Sequence, residues 1–126
     1  MHLTSAEAVL DDPVWSSLTT RHAHLARGDR LALRYPPDIA PFVAIAASTP
    51  AHAAALRALV DVDELVALFG APLPDGTAGW SMQDTLRNVQ MIRRDPRPLP
   101  QRDAAIVRLG ARDVDARLAL VEITHP

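Results

Sequence analysis

Three prolines fall within five positions, Pro96, Pro98 and Pro100, a spacing that no helix interior or central strand accommodates. Each lacks the backbone N–H that both structures need, and each fixes its own φ. Residues 93–102 are therefore expected to form a stiff, extended connector. A linker over 96–103 splits the chain into an N-terminal α/β lobe over 1–95 and a short second part over 104–126.

Prolines also punctuate the lobe. Asp12-Pro13 and Thr49-Pro50 each set a side-chain acceptor at an N-cap and proline at the first helical position, where the missing N–H does no harm. Behind the first pair, Val14, Trp15, Leu18, His22, Leu25 and Ala26 recur at helical spacing until Gly28, so 13–27 reads as helix in one or two pieces. Behind the second, an alanine-rich helix is expected to reach about Leu59. Between them, Leu31, Leu33 and Tyr35 alternate with Ala32 and Arg34 as a half-buried strand, and 42–46 is a short apolar run of strand length. Residues 64–69 read as another strand, closed by Gly70, and 80–83 and 86–92 are further extended candidates. Past the linker, 105–109 has strand character, Gly110 turns the chain, and a helix is expected from about Ala111, with Val114, Leu118, Val121 and Glu122 at helical offsets. The fold class is α/β, strictly α+β, with a mixed sheet of about five or six short strands and three or four helices.

Charge narrows the partners. With 13 basic and 15 acidic residues the formal charge is −2, which is no footprint for nucleic acid and argues against a purely electrostatic membrane anchor. A hydrophobic content of 48% excludes a wholly disordered chain. Cysteine is absent, which removes disulfides, a thiolate nucleophile and thiolate zinc sites. Every basic residue is Arg, so no lysine is present for Schiff-base chemistry. The 18 uncharged residues over 39–56 approach the length of a membrane span. Pro41 and Pro50 interrupt them, and Ser48, Thr49 and His52 dilute them. The first seven residues lack the basic start and apolar stretch of a secretory signal. The chain reads as soluble and cytoplasmic.

Few side chains suggest chemistry. His22 and His24 are two apart, whereas metal pairs on helices stand four apart, and solvated histidines are the better reading. Asp61, Asp63 and Glu64 match no calcium loop and read as a polar turn. Arg87, Arg93, Arg94, Arg97 and Arg102 form the one basic concentration, but Asp84, Asp95 and Asp103 sit among them, as on a solvated linker. No metal site is expected. Trp15, Tyr35, Phe42, Phe69 and Trp80 are the aromatics, most of them expected as core anchors. Trp80, which follows a glycine loop, also suits a pocket wall.

Three blocks taken in order carry a family resemblance: Asp12-Pro13-Val14-Trp15, the run from Leu33 through Arg34-Tyr35-Pro36-Pro37-Asp38 to Phe42, and Val89-Gln90-Met91. Together they resemble the N-terminal half of a GNAT-family N-acetyltransferase of the FR47-like subgroup. The closing run from Ile106-Val107-Arg108-Leu109-Gly110 to Glu122-Ile123-Thr124-His125-Pro126 resembles the first strand and helix of the acetyltransferase core. The resemblance implies acetyl transfer from acetyl-CoA to an amine, with Glu122 and His125 near the acceptor-substrate pocket. It also implies a Gln/Arg-x-x-Gly-x-Gly/Ala loop for the pyrophosphate. The nearest candidate, Leu73-Pro74-Asp75-Gly76-Thr77-Ala78, has Leu at the first position, Pro74 within it and Pro72 before it, and a carboxylate where phosphate would lie. The expectation is thus an N-terminal lobe with the start of a core, inactive alone, which lacks its acetyl-CoA loop and pairs with a missing C-terminal half. The alternative is a non-catalytic interaction or regulatory module that forms a homodimer or pairs with a catalytic chain, through apolar surface around 105–123.

Overall fold

A computed structural model of the chain describes residues 7–98 and 104–124. The chain divides into two units, one ending at Gln90 and the other beginning at Met91.

In the first unit, helix α1 (Pro13–Leu18) starts where the Asp12 carboxylate accepts the Trp15 N–H at 3.2 Å. Four short strands follow, β1 (Arg27–Gly28), β2 (Ala32–Arg34), β3 (Phe42–Ile45) and β4 (Ala67–Gly70). They form a mixed sheet in the order β1-β2-β3-β4. The first three strands are antiparallel, and β4 runs parallel to β3. A parallel pair needs a crossover, and helix α2 (Pro50–Leu59) supplies it. Thr49 caps α2, with its hydroxyl on the His52 N–H and ring.

The two helices cover opposite faces of the sheet. Val14 and Leu18 of α1 pack on Leu33, Tyr35 and Ala44. Leu56 of α2, with Val60 just beyond it, packs on Ala32, Val43 and Ile45. Alternation along the strands sends neighbouring residues to opposite faces, and here both faces are dry. That corrects the half-buried reading of β2, since each residue from Ala32 to Tyr35 is buried.

The expected helix over 13–27 stops at Leu18. The Thr19 hydroxyl donates to the Trp15 carbonyl at 2.8 Å and the Thr20 hydroxyl to the Ser16 carbonyl at 2.5 Å, while the His22 N–H takes the Ser17 carbonyl. Those hydroxyls satisfy the last carbonyls of the helix, and a 3-10 turn at Ala23–Leu25 leads to β1. Strand β4 begins at Ala67 rather than at Glu64, whose segment is a turn around Asp63 at φ +63°.

Among the described residues the sheet has four strands, fewer than expected. Residues 80–83, 86–92 and 106–109 join no ladder among the described residues, and an apolar run makes a strand only where another strand offers its N–H and C=O groups. Gly70 ends β4 at φ +78°, and a Cβ there would lie 2.4 Å from the Asp12 carboxylate. A glycine is what lets the cap of α1 sit on the end of β4.

In the second unit, Arg97 pairs with Asp95 at 2.6 Å. Helix α3 (Val114–Thr124) follows a 3-10 turn whose Asp113 carboxylate accepts the Gly110 N–H at 2.7 Å. No residue of α3 is buried. Ile106, Val107 and Leu109 before it are exposed as well. Among the described residues no helix is long and apolar enough to cross a membrane.

Candidate functional site

A cleft of about 430 Å³ lies between α2 and the loop that follows β4. The loop is shaped by a turn from Pro74 to Thr77, where the Thr77 N–H and hydroxyl both reach the Pro74 carbonyl, at 3.2 and 2.5 Å. Gly76 sits third in that turn at φ +73°, a conformation that a β-carbon disfavours. Beyond it Trp80 returns to pack on the α2 face of the core together with Leu73.

The α2 wall is made of Pro50, Ala53, Ala54 and Arg57, a set with the three- and four-residue spacing of one helix face. Small side chains at 53 and 54 leave the room that the cleft occupies. Arg57 stands in the last turn, where its Nη1 donates to the Val60 carbonyl at 2.9 Å. Cation and free carbonyls attract one another there, which fixes the guanidinium. Its remaining N–H groups have no acceptor among the described residues, and a Cβ on Gly79 would lie 3.8 Å from its Nε. Asp75 is the acidic residue of the lining.

Trp80, which sequence reasoning put either in the core or on a pocket wall, does both. Its indole N–H is shut away from solvent and has no hydrogen-bond partner among the described residues. An unmade bond of that kind costs about 1–3 kcal/mol and calls for an explanation. Arg57 and Asp75 were not foreseen as site residues. The available signal was Arg57 one helical turn beyond two alanines and opposite a Gly-containing turn.

The most tightly held charges lie elsewhere in the unit. The Arg34 guanidinium, 4% exposed, faces α2 and donates to the Leu59 carbonyl at 2.7 Å, the Tyr35 carbonyl at 3.1 Å and both oxygens of Glu64. Glu64 also accepts the Asp61 N–H at 2.9 Å. Its carboxyl is held down at about 2, chiefly by Arg34 and then by the Asp61 N–H. The polar turn read at 61–64 is therefore a clasp that ties β2 to the end of α2, and its function is architectural. Burial pushes the Asp12 carboxyl up, with the Trp15 N–H opposing that shift. The His22 ring nitrogen Nδ1 lies 2.7 Å from the buried Tyr35 hydroxyl, with the His24 ring edge-on at 6.4 Å.

Of the other residues tied to the acceptor pocket, Glu122 lies exposed on α3, in the second unit. His125 lies outside the described residues, as do Arg102 and most of the linker at 96–103. The residues present do not fit the pyrophosphate of acetyl-CoA. From β4 to residue 98 the chain passes a turn bearing Asp75 and forms no helix, so no helix N-terminus there receives an anion. No family model, curated protein or solved structure matches this chain.

Proposed function

We propose that this chain supplies the N-terminal lobe of a cytoplasmic GNAT-type N-acetyltransferase and is inactive by itself. The observation that carries this reading is the state of residues 104–124. Ile106, Val107 and Leu109 are 69%, 70% and 53% exposed and unpaired, and α3 presents Leu118, Leu120, Val121 and Ile123 to solvent. Apolar surface of that kind marks a surface for association. A strand-type run followed by an unburied helix is the start of a layered α/β core whose remaining strands come from other residues. On this reading the acetyl-CoA loop comes with that missing core, and Glu122 and His125 reach the acceptor amine only once the core is complete.

The test has two arms. Calorimetry of the 126-residue chain with acetyl-CoA is expected to show no binding in the micromolar range, and binding or turnover there overturns the claim of inactivity. The coding DNA beyond the Pro126 codon is expected to continue, in some frame, into a Gln/Arg-x-x-Gly-x-Gly/Ala loop. The same exposed surface favours a second reading, a non-catalytic module that pairs through 104–124. Light scattering that shows a stable dimer, with no such loop downstream, selects that module instead.

A further inference from the structure

The cleft between α2 and the loop after β4 is independent of that proposal, because its walls belong to the first unit alone. At about 430 Å³ it falls within the range of small-molecule sites. Its polar groups are unbalanced. Among the described residues Arg57 has N–H groups without acceptors, and the Trp80 indole N–H, closed to solvent, has no partner. The Thr77 hydroxyl is already spent on the Pro74 carbonyl. The free Arg57 N–H groups at this apolar cleft are donors that a ligand acceptor can take in place of water.

Charge limits what that acceptor is. Arg57 brings one positive charge and Asp75 one negative, so the lining is neutral overall. A phosphate dianion would face a single cation and the repulsion of Asp75, whereas one carboxylate is matched by a planar guanidinium. Pro74, Ala53 and Ala54 offer an apolar surface beside it. We propose that this cleft binds a small monocarboxylate with an apolar body, its carboxylate held by Arg57 and its body lying on Pro74, the α2 alanines and the Trp80 ring. Because Arg57 is already anchored to the Val60 carbonyl, little of its freedom remains to be lost on binding.

Phenylacetate serves as the probe, titrated by calorimetry into the unmodified chain beside phenylacetamide and phenyl phosphate. Saturable phenylacetate binding is expected, weaker by about tenfold or more for the neutral amide and for the phosphate. Arg57→Met is expected to weaken phenylacetate by a similar factor. Ala54→Phe fills the cleft from an exposed position of α2 and should abolish binding. No saturable phenylacetate binding, equal binding of the amide, tighter binding of the phosphate, or indifference to Ala54→Phe each overturns the proposal. The ligand comparison uses the unmutated site and so decides the matter even if Arg57→Met fails to fold. Acetyl-CoA binding is read separately, which keeps failure here distinct from failure of the acetyltransferase reading.

Discussion

Replacing Glu64 by alanine strips the Arg34 guanidinium of its paired carboxylate in a place where water barely reaches. The Arg34 side chain is 5% exposed and that of Glu64 20%. Stranding one member of a sealed ion pair costs about 3–5 kcal/mol. Partial solvent access at Glu64, and the Leu59 and Tyr35 carbonyls that Arg34 keeps, reduce the expected loss to about 2–3 kcal/mol. In a lobe of this size that lowers Tm by roughly 10–20 °C. Urea denaturation of the full chain, followed by circular dichroism, measures the loss for Glu64→Ala, Arg34→Met and the double variant. The pair should show a coupling of about 2 kcal/mol. The pH dependence has a fixed sign. Glu64 ionises at about 2 in the folded chain against an ordinary 4.5, so the folded state binds fewer protons between those values. The contribution of the pair is then complete above about pH 4.5 and is lost as pH falls toward 2. A coupling below about 0.5 kcal/mol, or a gap between wild type and Glu64→Ala that does not narrow on acidification, refutes the clasp.

Gly70→Ala meets both a φ of +78° and the Asp12 carboxylate 2.4 Å from its new Cβ, whereas Gly76→Ala meets a φ of +73° with nothing within 4 Å. Thermal melts should therefore show a loss of about 2–4 kcal/mol at 70 and only about 1 kcal/mol at 76, and equal losses would contradict the close approach of the α1 cap to β4. Burial raises the Asp12 carboxyl above its ordinary 3.8, so the folded state binds more protons there and stability falls as pH rises through that interval. Asp12→Asn keeps an acceptor for the Trp15 N–H without the charge and should match or exceed wild type at neutral pH. Asp12→Ala should lose about 1 kcal/mol in the same denaturation assay, and an Asn variant as weak as the Ala variant would sink this account of the cap.

Local signals were legible in the sequence because their cause is local. A capping oxygen followed by proline starts a helix whatever surrounds it, and α1 and α2 begin at the two positions so marked. Positive-φ glycines close β4 and shape the cleft turn for the same reason. The α1 endpoint was misread because Thr19 and Thr20 turn their hydroxyls back onto the helix, and hydrophobic spacing is blind to that. Part of the site was readable too. Trp80 was legible as a core anchor or a pocket wall, but its partners were not, because Arg57 and Asp75 lie in separate segments that come together only when the loop folds over α2.

The sequence alone determined where helices start, where the chain turns, and that 105–109 has strand character. Tertiary structure decided which strand-like runs become strands. Three of them, 31–35, 42–46 and 64–69, supply strands, whereas 106–109 joins no ladder among the described residues. It also decided that β2 is dry on both sides, because helices separated in sequence cover opposite faces of the sheet. Most of all it decided that Arg34 is interior. An arginine on an alternating strand reads as solvated, and only Glu64, 30 residues later, together with the end of α2, compensates the burial of its charge. Caps and turns are settled by neighbours along the chain, whereas burial and pairing depend on residues brought together from far apart.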